Sequence, residues 1–262
     1  QSLAGIIWPP IFGAVIDDIG WRQLYFWFGA FALVVLPPVC WLIRHKPPLP
    51  PPAPRPAAPA RAPLRPALSP MATQWFLCAA IMGCCIAMAL PLAHLVAYAT
   101  DLGFSIESGV AVMSLMLVAA FGARIMLVGF LSERFGGLRA LFVFCLIQAV
   151  TLAALTAARD LWALYLAAIL FGLGYGGVFP AYALAIRDEM PLDQVGRRTG
   201  FIFLFGAMAM GLGSWMGGFL FDLSGSYTLP FMIGVATNVA NLMVVGYLIY
   251  RTGTGRLQPA PA

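Results

Sequence analysis

The sequence predicts an all-α membrane protein, and three observations carry that prediction. Of the 262 residues, 61% are hydrophobic and only 10% charged. An average soluble domain is about 25% charged, so this chain lacks the charge to keep a soluble surface hydrated. Apolar runs long enough to cross a bilayer recur along nearly the whole chain, and basic residues crowd into every second loop.

The elements follow in order. Leu3 to Ile16 is apolar but only 14 residues long, whereas a spanning helix needs roughly 20. The chain also starts at Gln1, so this stretch is read as the remainder of a cut helix. It has no basic leader and contains Pro9 and Pro10, which argues against a signal peptide. Seven further segments, 21–43, 75–99, 107–131, 140–158, 162–186, 199–221 and 228–250, are each long enough to span. Backbone groups in lipid must be bonded internally, so all seven are predicted helices. Trp21, Trp75, Trp162, Tyr98, Tyr227 and Tyr250 mark their ends, as an interfacial aromatic belt does.

Lys and Arg give the orientation. The loops 44–74, 131–139, 187–198 and 251–262 hold twelve of them, the intervening loops hold two, Arg22 and Arg159, and Arg124 lies in neither set. The positive-inside rule makes the first set, and the C-terminus, cytoplasmic. The loop 44–70 contains eleven of the chain's 21 prolines and is expected to be an extended linker. The predicted organisation is therefore 1–43 as two helices, 44–74 as a Pro-rich cytoplasmic linker, 75–250 as a six-helix body and 251–262 as a tail.

The five cysteines lie in apolar runs without metal-ligand spacing, which reads as helix packing. His45 and His94 are the only histidines, and they complete no catalytic set, metal cluster or phosphate loop. The run Gly172-x-Gly174-x-x-Gly177 has dinucleotide-loop spacing but follows no strand and sits in a long apolar segment. It reads instead as a closely packed, proline-bent helix. No enzyme, cofactor, metal or nucleic-acid partner is expected; the expected partners are the bilayer and a small-molecule substrate.

One loop carries a recognisable motif. "GFLSERFGGLR" (129–139) resembles the signature loop Gly-x-Leu-Ala-Asp-Arg-x-Gly-Arg-Lys of the major facilitator superfamily, in its second-half copy. Gly129, Leu131, Arg134 and Gly136 match, Glu133 replaces the aspartate, and Arg139 restores one charge of the basic pair. "AGIIWPPIFGAVIDDIGWR" (4–22) and "FDLSGSY" (221–227) are similar to further stretches of these carriers. The resemblance implies a partial fold of that superfamily with about eight spanning helices, equivalent to its helices 5–12, the first four being missing. It implies alternating access in a multi-pass protein of a bacterial-type inner membrane. Gly129, Glu133, Arg134, Gly136 and Arg139 are then expected to form the conformational-switch loop. In that role Gly129 admits a neighbouring helix and Glu133 faces a helix N-terminus from the other half.

Arg124 sits well inside a predicted span, among Ala120, Gly122 and Ala123. A central arginine costs about 2.5–3.5 kcal/mol on insertion scales. The next turn, Ile125 to Val128, offers a snorkelling side chain no polar path. A wet cavity between helices is therefore the expected setting, where a guanidinium grips a carboxylate with two parallel hydrogen bonds. "PLAHLVAYATDLGFS" (91–105) and "RIMLVGFLSERFGG" (124–137) look most like the monocarboxylate carrier and oxalate/formate antiporter branch. There an arginine five residues before the loop glycine binds the substrate carboxylate, and Arg124 and Gly129 keep that spacing. The aspartate one turn earlier in proton-coupled members is Ala120 here, and the lysine of oxalate-type members has no counterpart after Arg198 within 199–221. His94, with Tyr98 one turn on, is a candidate carrier of a coupling proton. Tyr175, Phe179 and Tyr182 share a helical face and are candidate cavity residues. Asn238 and Asn241 are expected at the periphery. The expected substrate is a small organic anion. Export of amphiphilic compounds, and a non-transporting sensor or scaffold of the same fold, are the alternatives.

Overall fold

The computed structural model describes residues 2–43 and 68–252. The Pro-rich stretch 44–67 and the tail from 253 onward lie outside them. The chain divides into two compact units, 1–62 and 63–262.

In the first unit, α1 runs Ser2–Ile43 and takes in both the short first stretch and the second predicted helix. The division expected between them falls at Gly20, whose φ of 74° and ψ of 153° break the helical path. A side chain would be strained there, and glycine is not. Along Asp18–Leu42 the helix is apolar enough to span a bilayer. Trp21, Tyr25, Phe26 and Trp27 stand exposed on it.

The second unit is a bundle of six helices: α2 Pro70–Asp101, α3 Ile106–Phe135, α4 Gly137–Ala157, α5 Leu161–Glu189, α6 Val195–Ser224 and α7 Thr228–Thr252. All six have the length and apolar character of membrane spans. Three of them, α2, α3 and α5, begin at capped N-termini just ahead of the predicted segments. The Ser69 hydroxyl accepts from the Ala72 amide with Pro70 in the first turn, Ser105 caps α3, and Asp160 caps α5. These are residues that satisfy orphan N–H groups. Gly136, at φ 80° and ψ 164°, makes the junction between α3 and α4 in one residue. Its backbone region is essentially reserved for glycine, which is the physical content of that matched motif position.

Connections alternate between two ends of the bundle, so α2, α4 and α6 run one way and α3, α5 and α7 the other. The main packings are α3 on α5, α4 on α5, α2 on α6 and α2 on α7. Exchanging the triplet α2–α3–α4 with α5–α6–α7 maps this pattern onto itself, the mark of an inverted repeat. Glycines set the closest approaches. A Cβ on Gly172 or Gly176 would lie 2.2 or 2.1 Å from the Met116 or Ala120 carbonyl oxygen of α3. One on Gly213 would lie 2.7 Å from the Ile86 carbonyl of α2. Small residues at four-residue spacing let helices meet where lipid offers no hydrophobic drive. The outer surface is apolar, with Met126, Phe130, Trp162, Trp215 and Met243 well exposed, the inverse of a water-facing surface.

Candidate functional site

The α3–α5 crossing positions Arg124. Ala120 and Ala123 are buried against α5, so the face that carries Arg124 looks into the bundle. Its Nε donates to the Gly176 carbonyl at 3.1 Å, and the Tyr175 phenol lies near enough to the guanidinium to feel its charge. Arg124 is half-buried and anchored between helices rather than extended along the apolar turn that follows it. Planar nitrogen donors held beside a phenol can receive a carboxylate in plane.

His94 belongs to the other parallel pair. Its Nε2 lies 2.9 Å from the Ser214 carbonyl of α6, and a Cβ on Gly217 would come within 2.5 Å of its ring. Tyr227, in the α6–α7 turn, lies 5.4 Å from the His94 ring, centroid to centroid. Burial, then the Asp101 and Asp222 carboxylates, push the Tyr227 phenol above its ordinary range. Arg124 and His94 thus lie on different helix pairs.

Two tyrosines expected beside the substrate are packing residues. Tyr98 is buried and donates to the Leu155 carbonyl at 2.9 Å, tying α2 to the end of α4. Tyr182 is wholly buried, and its hydroxyl donates to Asn241 Oδ1 at 3.3 Å. Of the aromatic face, Tyr175 alone joins Arg124, while Phe179 packs on Phe203 of α6. Asn238 and Asn241, expected at the periphery, are in the core. Asn241 Nδ2 donates to Asn238 Oδ1 at 2.9 Å, and Asn238 Nδ2 to the Cys145 carbonyl at 3.2 Å. Beside them Gln148 Nε2 donates to the Cys84 carbonyl at 3.3 Å, and the Cys84 thiol to Gln148 Oε1 at 3.6 Å. In lipid these amides have no water to turn to, so they point inward at one another.

The motif loop differs from expectation in one respect. Gly129 is exposed, and a Cβ there would meet nothing within 4 Å among the described residues. The glycine that admits a neighbour is Gly137, where a Cβ would lie 2.4 Å from the Ala185 nitrogen of α5. Glu133 and Arg134 are exposed and Arg139 is half-buried. The carboxylate at the N-terminus of α4 is Asp188, which accepts from the Gly137 amide at 3.0 Å. Sequence reading missed it because an acid at a helix end reads as a solvated loop. Around it Gly136, Gly137, Arg139 and Glu189 line a cavity of about 70 Å³. Asp188→Ala is expected to cost about 1 kcal/mol of stability through the lost cap, seen as a lower Tm in detergent, with Asp188→Asn retaining most of it.

A second feature of that end also escaped the sequence. Arg198, at the start of α6, is buried; its Nε donates to Gln194 Oε1 at 3.0 Å, and it also bonds the Pro70 carbonyl at 3.3 Å and the Gln74 side chain of α2. A cavity of about 310 Å³ lies there, lined by Met71, Gln74, Arg197, Arg198 and Phe201.

Residues 1–161 and 125–262 match the family model described as Major Facilitator Superfamily. An "Uncharacterized MFS-type transporter YcxA" of Bacillus subtilis (strain 168) is 28% identical over 242 residues, 87% of this chain. The chain spans 57% of that relative's length. Among solved structures, a peptide transporter POT (E310Q mutant) in complex with sulfate superposes with a TM-score of 0.58 at 20% identity, covering 68% of this chain and 38% of that one. The structural likeness concerns the fold.

Proposed function

Because the chain belongs to the major facilitator superfamily, we propose that it serves in a secondary active transporter that moves a small, monocarboxylate-like organic anion by alternating access. The observation that carries the anion reading is Arg124, held between α3 and α5 with its Nε on the Gly176 carbonyl and Tyr175 alongside. Arg124 neutralises the anion, so that a loaded site closes at lower cost than an empty one. His94 is the candidate carrier of a coupling proton. The loop of Gly129, Glu133, Arg134, Gly136 and Arg139 contributes to switching between states on the cytoplasmic side, where the C-terminus also lies. The organisation 1–43, linker 44–74, six-helix body 75–250 and tail 251–262 belongs to the same reading, as does a bacterial-type inner membrane.

Binding tests this directly. The complete gene product in detergent is heated with a panel of small carboxylates, their amides, and amines of matching size, at two pH values. Carboxylates at about 100 times their Kd should stabilise by about 2.7 kcal/mol, a Tm rise of several degrees. The amides and amines should leave Tm unmoved. A panel in which neutral or cationic compounds stabilise and carboxylates do not would reverse the assignment to an anion.

A further inference from the structure

We propose that Pro180 is a positioning residue for Arg124: by carrying no N–H, it leaves the Gly176 carbonyl open to the guanidinium. The proposal rests on reading Arg124 as the anion-binding residue. In an α-helix the amide of residue 180 would donate to the carbonyl of residue 176, four positions earlier. Proline has no amide hydrogen. Pro180 lies inside α5, which continues to Glu189, so the Gly176 carbonyl is the one this proline deprives of its helical donor. At membrane depth such a group must find a partner within the protein, and Arg124 Nε supplies it at 3.1 Å.

Two further features make the arrangement a built one. Gly176 has no side chain, and a Cβ there would sit 2.1 Å from the Ala120 carbonyl oxygen. Only glycine lets the α3 backbone come close enough for an arginine one turn after Ala120 to reach that carbonyl with its Nε. The guanidinium is a rigid plane. Once Nε is fixed, the direction of its terminal nitrogens is largely fixed as well. The edge that would grip a carboxylate is therefore aimed by α5 before substrate arrives, and less side-chain freedom is lost on binding.

The test uses the complete gene product reconstituted in proteoliposomes. Pro180→Ala returns an N–H that competes with Arg124 for the Gly176 carbonyl. The KM for a transported carboxylate should rise about tenfold, the loss expected for one hydrogen bond from a charged donor, with the maximal rate retained. Replacement of Pro180 by lactic acid, an ester link that also lacks N–H, should restore the KM. An unchanged KM in Pro180→Ala overturns the proposal. So does an equal rise in both variants, which would assign the effect to the proline ring rather than to the missing donor. If Pro180→Ala does not fold, infrared spectroscopy of a site-specifically isotope-labelled Gly176 carbonyl tests the same bond. Its band should shift to higher frequency in Arg124→Lys, and an unmoved band overturns the proposal. Normal uptake in Arg124→Ala sinks the anion site itself. Lost uptake in Arg124→Ala beside an unchanged Pro180→Ala sinks only the positioning role.

Discussion

Arg124→Ala is expected to abolish uptake of small carboxylates while leaving the protein in the membrane at undiminished level. The two effects have opposite signs for one reason. Removing one partner of a desolvated, hydrogen-bonded charge pair costs about 2–5 kcal/mol of binding, or roughly thirtyfold to several thousandfold in affinity. Removing the same guanidinium from a spanning helix relieves about 2.5–3.5 kcal/mol of insertion cost. Transport should therefore fall to background while the amount of protein in membranes holds or rises. Arg124→Lys keeps the charge but not the flat pair of donors, so it should fall between. The measurement is uptake of labelled carboxylate by cells carrying the complete gene, normalised to membrane-inserted protein. Wild-type uptake by the alanine variant would refute the site.

Gly176→Val is the second large effect, and it acts on the fold. A Cβ at this position meets Ala120 backbone atoms, the oxygen at 2.1 Å and the Cα at 2.8 Å. Backbone cannot rotate away as a side-chain tip can, so α3 and α5 must separate along the crossing that also holds Arg124. Overpacking of this kind costs typically 1–3 kcal/mol and occasionally more. The variant should lose its monodisperse peak on size exclusion in detergent, or unfold many degrees below wild type. Gly129→Ala is the control. It adds a Cβ, the atom that clashes at position 176, where nothing lies within 4 Å among the described residues, and its Tm should match wild type. Equal behaviour of the two variants would contradict the close α3–α5 crossing.

The helices were legible in the sequence because hydropathy in a bilayer protein marks spans directly. What stayed hidden was which way each span faces. In water an amphipathic helix shows its buried side by polarity, but a helix in lipid is apolar all round. Asn238, Asn241 and Tyr182 therefore gave no sign of converging in the core, and Tyr98 and Tyr182 could be taken for cavity residues. Arg124 stood out because a lone charge in lipid is costly wherever it points, and its small neighbours suggested a helix interface. The Gly176 carbonyl could not be read off as a partner, since it lies 52 positions along the chain. The division between 3–16 and 21–43 was legible, but not that a single glycine of positive φ, Gly20, makes it. In the motif loop the resemblance matched Gly129 and Gly136, and Gly137 stood outside the match. It did not show that Gly136 turns the chain, that Gly137 admits the neighbour, or that Asp188 caps the helix behind them.

The amide and thiol cluster of Gln148, Cys84, Asn238, Asn241 and Tyr182 draws on α2, α4, α5 and α7. Each interhelical bond in such a setting is worth only about 0.6 kcal/mol on average. They share partners, however, so sliding any one of those helices disturbs several at once with no water to heal the loss. The bundle is thereby stiffened at its centre, like a hub with four spokes. Under the alternating access proposed above, such a part lets force applied at one rim reach the opposite rim instead of being absorbed between them.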